Sequence, residues 1–267
     1  MNYRLEVPAG ERVPILLSVP HCGSFVPDEL RSAFEPQALQ QLDDTDWFVD
    51  RLYGFAASMG ITMLSATISR WVIDLNRDPL DKPLYSDGRV ITGLCPVTDF
   101  LGTSIYKDNR KSVEIQEIAR RKELYYKPYH DALQSQLDQL VNEFGKVLLW
   151  ECHSIRKVVP SIYSKPFPDL IVGDAGGTSA SPGLIESALS NLDHGDYSVS
   201  HNHPFMGGYI TRHYGNPSVN RHAIQLEMAK VNYMDDSERN WDEPRALKMQ
   251  SLLKKTLEGQ IAMLTGS

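Results

Sequence analysis

Short apolar runs that stop on a polar, chemistry-bearing residue recur along this chain, and they narrow its possible folds sharply. Pro14–Val19 leads into Pro20-His21-Cys22-Gly23, and Val147–Trp150 leads into Glu151-Cys152-His153-Ser154. Runs this short, bounded by turn residues, read as strands rather than helices. The strand candidates are 14–19, Ile61–Leu64, Trp71–Leu75, 146–151, Leu170–Val172, Tyr209–Arg212 and Ala223–Leu226. Helical patterns separate them. Asp46–Met59 places Phe48, Leu52, Phe55 and Ala56 on one face, and Leu247–Leu264 reads as a C-terminal helix. Ser112–Phe144 is the longest such pattern, and Pro128 should bend or break it. Strands alternating with helices predict an α/β fold: a single domain over 1–267, with a mixed, mostly parallel sheet flanked by helices. In an open sheet of this kind, groups at the carboxyl ends of strands gather in one crevice. His21 and His153 should meet there.

Composition bounds the function classes. With 42% hydrophobic and 23% charged residues, the chain is an ordinary soluble globular protein. A net charge of -7 and the lack of a basic stripe argue against nucleic acid as a partner. No apolar stretch approaches the roughly 20 residues of a membrane span. The N-terminal segment has no signal-peptide apolar core. Cys22, Cys95 and Cys152 are too few and too scattered for a disulfide framework. A cytoplasmic protein acting on a small molecule is expected. Two long loops, Asp78–Asn109 and Ser198–Gly215, are candidates for substrate contact.

Neutral imidazole is the commonest metal ligand, and two histidines with one carboxylate make a hydrolytic metal centre. Asp43-Asp44-Thr45-Asp46 could supply that carboxylate from any of its three acids, or could simply cap a helix. Cys22 is a weaker rival, because neighbours on a strand point to opposite faces. The same periodicity places Glu151 on His153's face, where it can orient a metal-bound imidazole from behind. Glu227 ends another apolar run, as a solvent-facing strand residue or as a general base. Arg77 is either a structural partner of Asp74 or Asp78, or a fork for a substrate carboxylate. Arg212 offers a second fork in a segment that also holds His201, Asn202 and His203.

Together these segments resemble the N-formylglutamate amidohydrolase family. The likeness rests on Ser-Val-Pro-His21-Cys-Gly, Asp-Thr-Asp46-Trp-Phe-Val-Asp50, Val-Ile-Asp-Leu-Asn-Arg77-Asp-Pro, Glu-Cys-His153-Ser and Ile-Gln-Leu-Glu227-Met. It extends to His201-Asn-His-Pro and Gly-Tyr-Ile-Thr-Arg212. The resemblance implies a fold similar to zinc-dependent exopeptidases and one divalent metal ion, zinc being expected, with cobalt or manganese compatible. It implies hydrolysis of N-formyl-L-glutamate to formate and L-glutamate, in histidine degradation. Carried over by position, His21, Asp46 and His153 hold the metal and Glu227 is the general base and acid. His203 supports the oxyanion, while Asn76, Arg77, His201 and Arg212 contact substrate. Glu151, where many relatives carry Asp, stands behind the metal. A related zinc amidase for another N-acyl amino acid or peptide is the alternative, with a binding homologue that lacks catalysis as a further one.

Overall fold

Four parallel strands form the centre of one seven-stranded sheet in the computed structural model, which describes residues 2–84 and 92–266. The strands are β1 (Tyr3–Glu6), β2 (Ile15–Val19), β3 (Thr62–Ala66), β4 (Val147–Ile155), β5 (Leu170–Gly173), β6 (Val199–His201) and β7 (Arg221–Ala229). Their order is β1-β3-β2-β4-β7-β5-β6. β3, β2, β4 and β7 run parallel, β1 lies antiparallel to β3, and β5 lies antiparallel to β7. The mixed, mostly parallel sheet expected from the sequence is present.

Helices cover both faces, so the central strands are apolar in both directions. One face packs Leu16, Leu64, Leu149 and Ala223 against Tyr129, Leu133, Leu137 and Leu140 of α5 (Lys127–Phe144). The other packs Leu17, Leu148, Trp150, Ile224 and Leu226 against α3 (Val49–Leu52), α6 (Pro182–Leu192) and α8 (Glu243–Thr265). The remaining helices are α1 (Asp28–Arg31), α2 (Pro36–Gln41), α4 (Ile115–Arg121) and α7 (Tyr209–Tyr214). Among the described residues, no helix is long and apolar enough to cross a membrane.

Three local expectations need correction. Trp71–Leu75 is not a strand but a buried irregular segment; the Asp74 N–H donates to the Leu94 carbonyl, and Arg121 Nη1 donates to the Val72 carbonyl. Its apolar character reflects burial alone. Tyr209–Arg212 lies in α7, because the Asn76 side chain accepts from the Ile210 N–H at 2.8 Å and starts the helix. The helix expected over Asp46–Met59 shrinks to α3 and a 3-10 turn at Ala56–Met59. Phe48 has φ of 63°, and a left-handed residue cannot sit inside an α-helix. At Pro128 the α-helical pattern is interrupted as expected: α4 ends at Arg121, a π-helical turn, Lys122–Tyr126, follows, and Pro128 sits in the first turn of α5, where a missing N–H is tolerated. The middle of the first long loop, 85–91, lies outside the described residues.

Candidate active site

The pleat of β4 and β7 sets the site. Alternation puts Glu151 and His153 on the α5 side of β4, and Gln225 and Glu227 on the same side of β7. Register places His153 directly opposite Glu227, and Glu151 opposite Gln225. β2 ends beside them, and His21 follows it. Gly23 lets the chain turn there at close quarters: a Cβ on it would lie 2.4 Å from the Ile68 carbonyl oxygen. The Asp46 N–H donates to the His21 carbonyl at 2.9 Å, which pins the acidic turn against the first histidine.

These constraints bring His21, Asp46 and His153 together, with one ligand-type atom from each within 4.8 Å of the others. Asp46 Oδ2 lies 3.2 Å from His153 Nδ1 and 3.7 Å from His21 Nδ1. The imidazole centroids are 4.9 Å apart. Of the three neighbouring aspartates only Asp46 enters this group. Asp44 accepts from Trp71 Nε1 at 2.9 Å, and Asp43 pairs with Arg156 at 2.8 Å. Cys22 turns the other way, its Sγ towards the Val19 and Ala66 carbonyls.

Each histidine is held from behind. His21 Nε2 is 2.7 Å from Asp74 Oδ1. His153 Nε2 is 3.5 Å from Glu151 Oε1 and 3.0 Å from Asn76 Nδ2. Glu151 in turn accepts from Ser18 Oγ at 2.9 Å. Carboxylates behind two imidazoles, with both Nδ1 atoms converging on one carboxylate oxygen, form a donor set that can hold a divalent cation. His21 Nδ1 is buried with no hydrogen-bond partner. A buried orphan nitrogen is costly unless something binds it, so the residues fit such an ion.

The charge balance is equally specific. Burial would lower the His153 pKa, but hydrogen bonds to Asp46 and Glu151 override it and lift the imidazole to about 10. Burial would raise Asp46, but both histidines hold it below the usual carboxylate range. Glu227 goes the other way. Burial, joined by the Asp46 charge, raises it to about 7 against the pull of His153 and Arg70. A carboxyl poised near neutrality suits proton transfer. Its Oε2 lies 3.4 Å from Gln225 Nε2, and Gln225 Oε1 accepts from the Gly208 N–H at 2.7 Å.

One cavity collects His21, Asp46, His153 and Glu227 with Asn76, Arg77 and Gln225, and Phe100, Ile155, Ile162 and Phe205 supply apolar wall. Arg77 is fixed by Thr92, whose carbonyl it reaches at 2.8 Å through Nε. Arg212 does not line the cavity but sits at its rim, donating to the Gly207 carbonyl at 2.8 Å and the Leu84 carbonyl at 3.4 Å. His201 and His203 are placed differently from expectation. His201 sits on an edge strand 3.2 Å from Asp174, and His203 is exposed 3.1 Å from Tyr163 Oη; neither lines the cavity.

The roles of three residues escaped the sequence reading, Asp74 having entered it only as a partner for Arg77. Gln225 could have been found, since it alternates with Glu227. Asp74 could also have been found, as a carboxylate inside an apolar run. Arg70 carried no signal. Asp74 is the hub: Oδ1 takes His21 and the Asn76 N–H, while Oδ2 takes Arg70 at 2.6 Å and lies 3.6 Å from Arg77. Asp74→Asn leaves Arg70 buried without its counter-charge. An expected loss of about 3–5 kcal/mol in unfolding free energy follows, and denaturant titration measures it. Metal affinity should fall about 10–100-fold as His21 loses its support.

The N-formylglutamate amidohydrolase family profile matches residues 13–234. The chain is 39% identical over 253 residues to the N-formylglutamate deformylase of Pseudomonas putida, covering 94% of this chain and 93% of the relative. It is 40% identical over 228 residues to the N-formylglutamate deformylase of Pseudomonas aeruginosa, covering 84% of each. The crystal structure of N-formylglutamate amidohydrolase from Ralstonia eutropha superposes with a TM-score of 0.81 at 29% identity, over 96% of both chains. A gene product of Agrobacterium tumefaciens shares the fold at a TM-score of 0.72 and 18% identity, covering 96% of this chain and 95% of that one. The chain belongs to the N-formylglutamate amidohydrolase family.

Proposed function

We propose that this protein hydrolyses the formyl amide of N-formyl-L-glutamate to formate and L-glutamate, as a step in histidine degradation in the cytoplasm. The observation that carries the reading is Glu227, raised towards neutrality and facing the same cavity as the His21, Asp46 and His153 donor set. The names of the Pseudomonas relatives supply the substrate, and three free cysteines suit a reducing compartment.

His21, Asp46 and His153 would hold one divalent ion, with zinc expected and cobalt or manganese compatible with the same donors. When bound, such an ion supplies Lewis-acid polarisation and makes water more acidic. Glu227 accepts the proton of the attacking water and returns it to the departing nitrogen. Glu151 and Asp74 keep the two imidazoles in the orientation and tautomer the ion requires. Gln225 steadies Glu227 and the Gly208 backbone together.

Arg77 in the wall and Arg212 at the rim hold the two substrate carboxylates, a task suited to planar guanidinium forks. Arg77→Ala and Arg212→Ala should each raise KM about 10–100-fold, with smaller effects on kcat, because each removes a charge-assisted contact made before and during reaction. Formate release from N-formyl-L-glutamate by the purified protein tests the reading. A panel of other N-acyl amino acids, hydrolysed faster than the formyl compound, would redirect it to a different substrate.

A further inference from the structure

Arg70 has no task in the mechanism above, yet it is built into the reacting end of the cavity. It is 5% exposed and lines the same wall as His21, Asp46 and Glu227. Nη2 donates to Asp74 Oδ2 at 2.6 Å and Nη1 to the Asp44 carbonyl at 3.4 Å. The guanidinium carbon stands 4.7 Å from the centroid of the Phe100 ring, itself a cavity wall. Two hydrogen bonds and one ring face fix the plane of the fork while using two of its five N–H donors. Asp74 Oδ1 holds His21 Nε2 at 2.7 Å, so the fork and the imidazole share one support. The charge of Arg70 is also felt at Glu227, where it opposes protonation.

Resting on the hydrolysis proposed above, we propose that Arg70 is a catalytic residue that donates a hydrogen bond to the formyl oxygen as negative charge develops there. His203, the sequence candidate for that task, faces Tyr163 instead. The ion pair with Asp74 decides against a carboxylate anchor. It cancels most of the net charge that an anion would seek and leaves directed N–H dipoles, which suit an oxyanion. The step balances without a redox partner. Water oxygen bonds to the formyl carbon, the C=O π pair moves onto the formyl oxygen, and Glu227 takes the water proton. When that pair returns, the C–N bond breaks with its electrons on nitrogen, which takes the proton from Glu227. Formic acid leaves and ionises to formate. Arg70 gives up no proton, since guanidinium does not titrate in this range.

Arg70→Lys keeps a cation opposite Asp74 and loses the fork. The expected result on N-formyl-L-glutamate is a kcat about 100-fold lower with KM changed by less than about threefold. The same loss should appear on N-formyl-L-glutamine, which lacks the side-chain carboxylate, and on N-formyl-4-aminobutyrate, which lacks the α-carboxylate. Arg70→Ala should recover part of its rate with added guanidinium. Metal content per chain and near-UV circular dichroism should match wild type in Arg70→Lys, which carries the test if Arg70→Ala does not fold. A loss confined to KM, or one that disappears on either truncated substrate, makes Arg70 a carboxylate anchor and overturns the role. Wild-type turnover in Arg70→Lys overturns it too, while leaving the hydrolysis standing. A wild-type protein that releases formate from none of the three compounds overturns both.

Discussion

Glu227→Gln should retain its metal and fold while losing on the order of 10³-fold in kcat. The amide keeps the shape and much of the hydrogen-bonding capacity of the carboxyl, so Gln225 retains a partner. What it removes is the ability to accept and return a proton. Among the described residues, no other carboxyl at the cavity is placed to take over: Asp46 sits between two imidazoles, and Glu151 and Asp74 lie behind them. The pH profile makes a second check. Glu227 must be ionised to act, and burial pushes its pKa up to about 7. A nearby cation can only lower that value, so kcat/KM should fall about tenfold per pH unit on the acid side, below a midpoint no higher than about 7. Near wild-type turnover by Glu227→Gln would remove it from the mechanism.

Chelation of the purified protein should abolish formate release, and zinc, cobalt or manganese should restore it to different degrees. The ion-free protein should also melt at lower temperature. An ion present at a thousand times its dissociation constant stabilises the fold by about 4 kcal/mol. Uptake must displace a proton from His153, which is otherwise lifted to about 10. Binding therefore releases protons and weakens as pH falls, which calorimetry in buffers of different ionisation enthalpy would register. The sign for stability follows as well. Without the ion, raising His153 from 6.5 to about 10 contributes stability that is complete below 6.5 and lost as pH rises through 10. The melting temperature of the stripped protein should decline across that window, and that of the loaded protein much less. Full activity in protein shown to contain no metal would end the proposed role of the donor set.

Strand periodicity made much of the site legible. His153 and Glu151 could be placed on one face because β4 is regular and alternates, and Glu227 could be placed at the end of an apolar run, but their shared side rests on the β4–β7 register. His21 could be placed because it follows an apolar run. What periodicity could not supply were contacts made across the chain. Trp71–Leu75 looks like a strand because it is buried, yet its backbone bonds go to Leu94 and the Arg121 side chain. The helix at Tyr209 begins on a side chain from Asn76, a distant cap that no local pattern encodes. Gly208 belongs to the same contact: a Cβ there would lie 2.3 Å from the Asn76 amide. Arg70 stayed hidden for a related reason. Its meaning comes from Asp74, and the reading of Asp74 stopped at its near neighbour Arg77. His201 and His203 drew attention by residue type and by the family likeness of their segment, yet His201, ending an edge strand, and His203, just beyond it, lie outside the cavity.

The β4–β7 pairing has a consequence for how such an enzyme can change. His153 and Glu227 face each other across the longest parallel pair in the sheet, where opening requires the whole domain to open. Amide exchange there should be among the slowest in the molecule. Arg77 and Arg212 are carried instead by a loop and by a short helix at the rim. On the proposed mechanism the proton-moving group thus sits on the longest parallel strand pair, while the proposed carboxylate anchors lie on a loop and a short helix outside the sheet, so new acyl-amino-acid preferences can drift in through those segments without disturbing the strand pair.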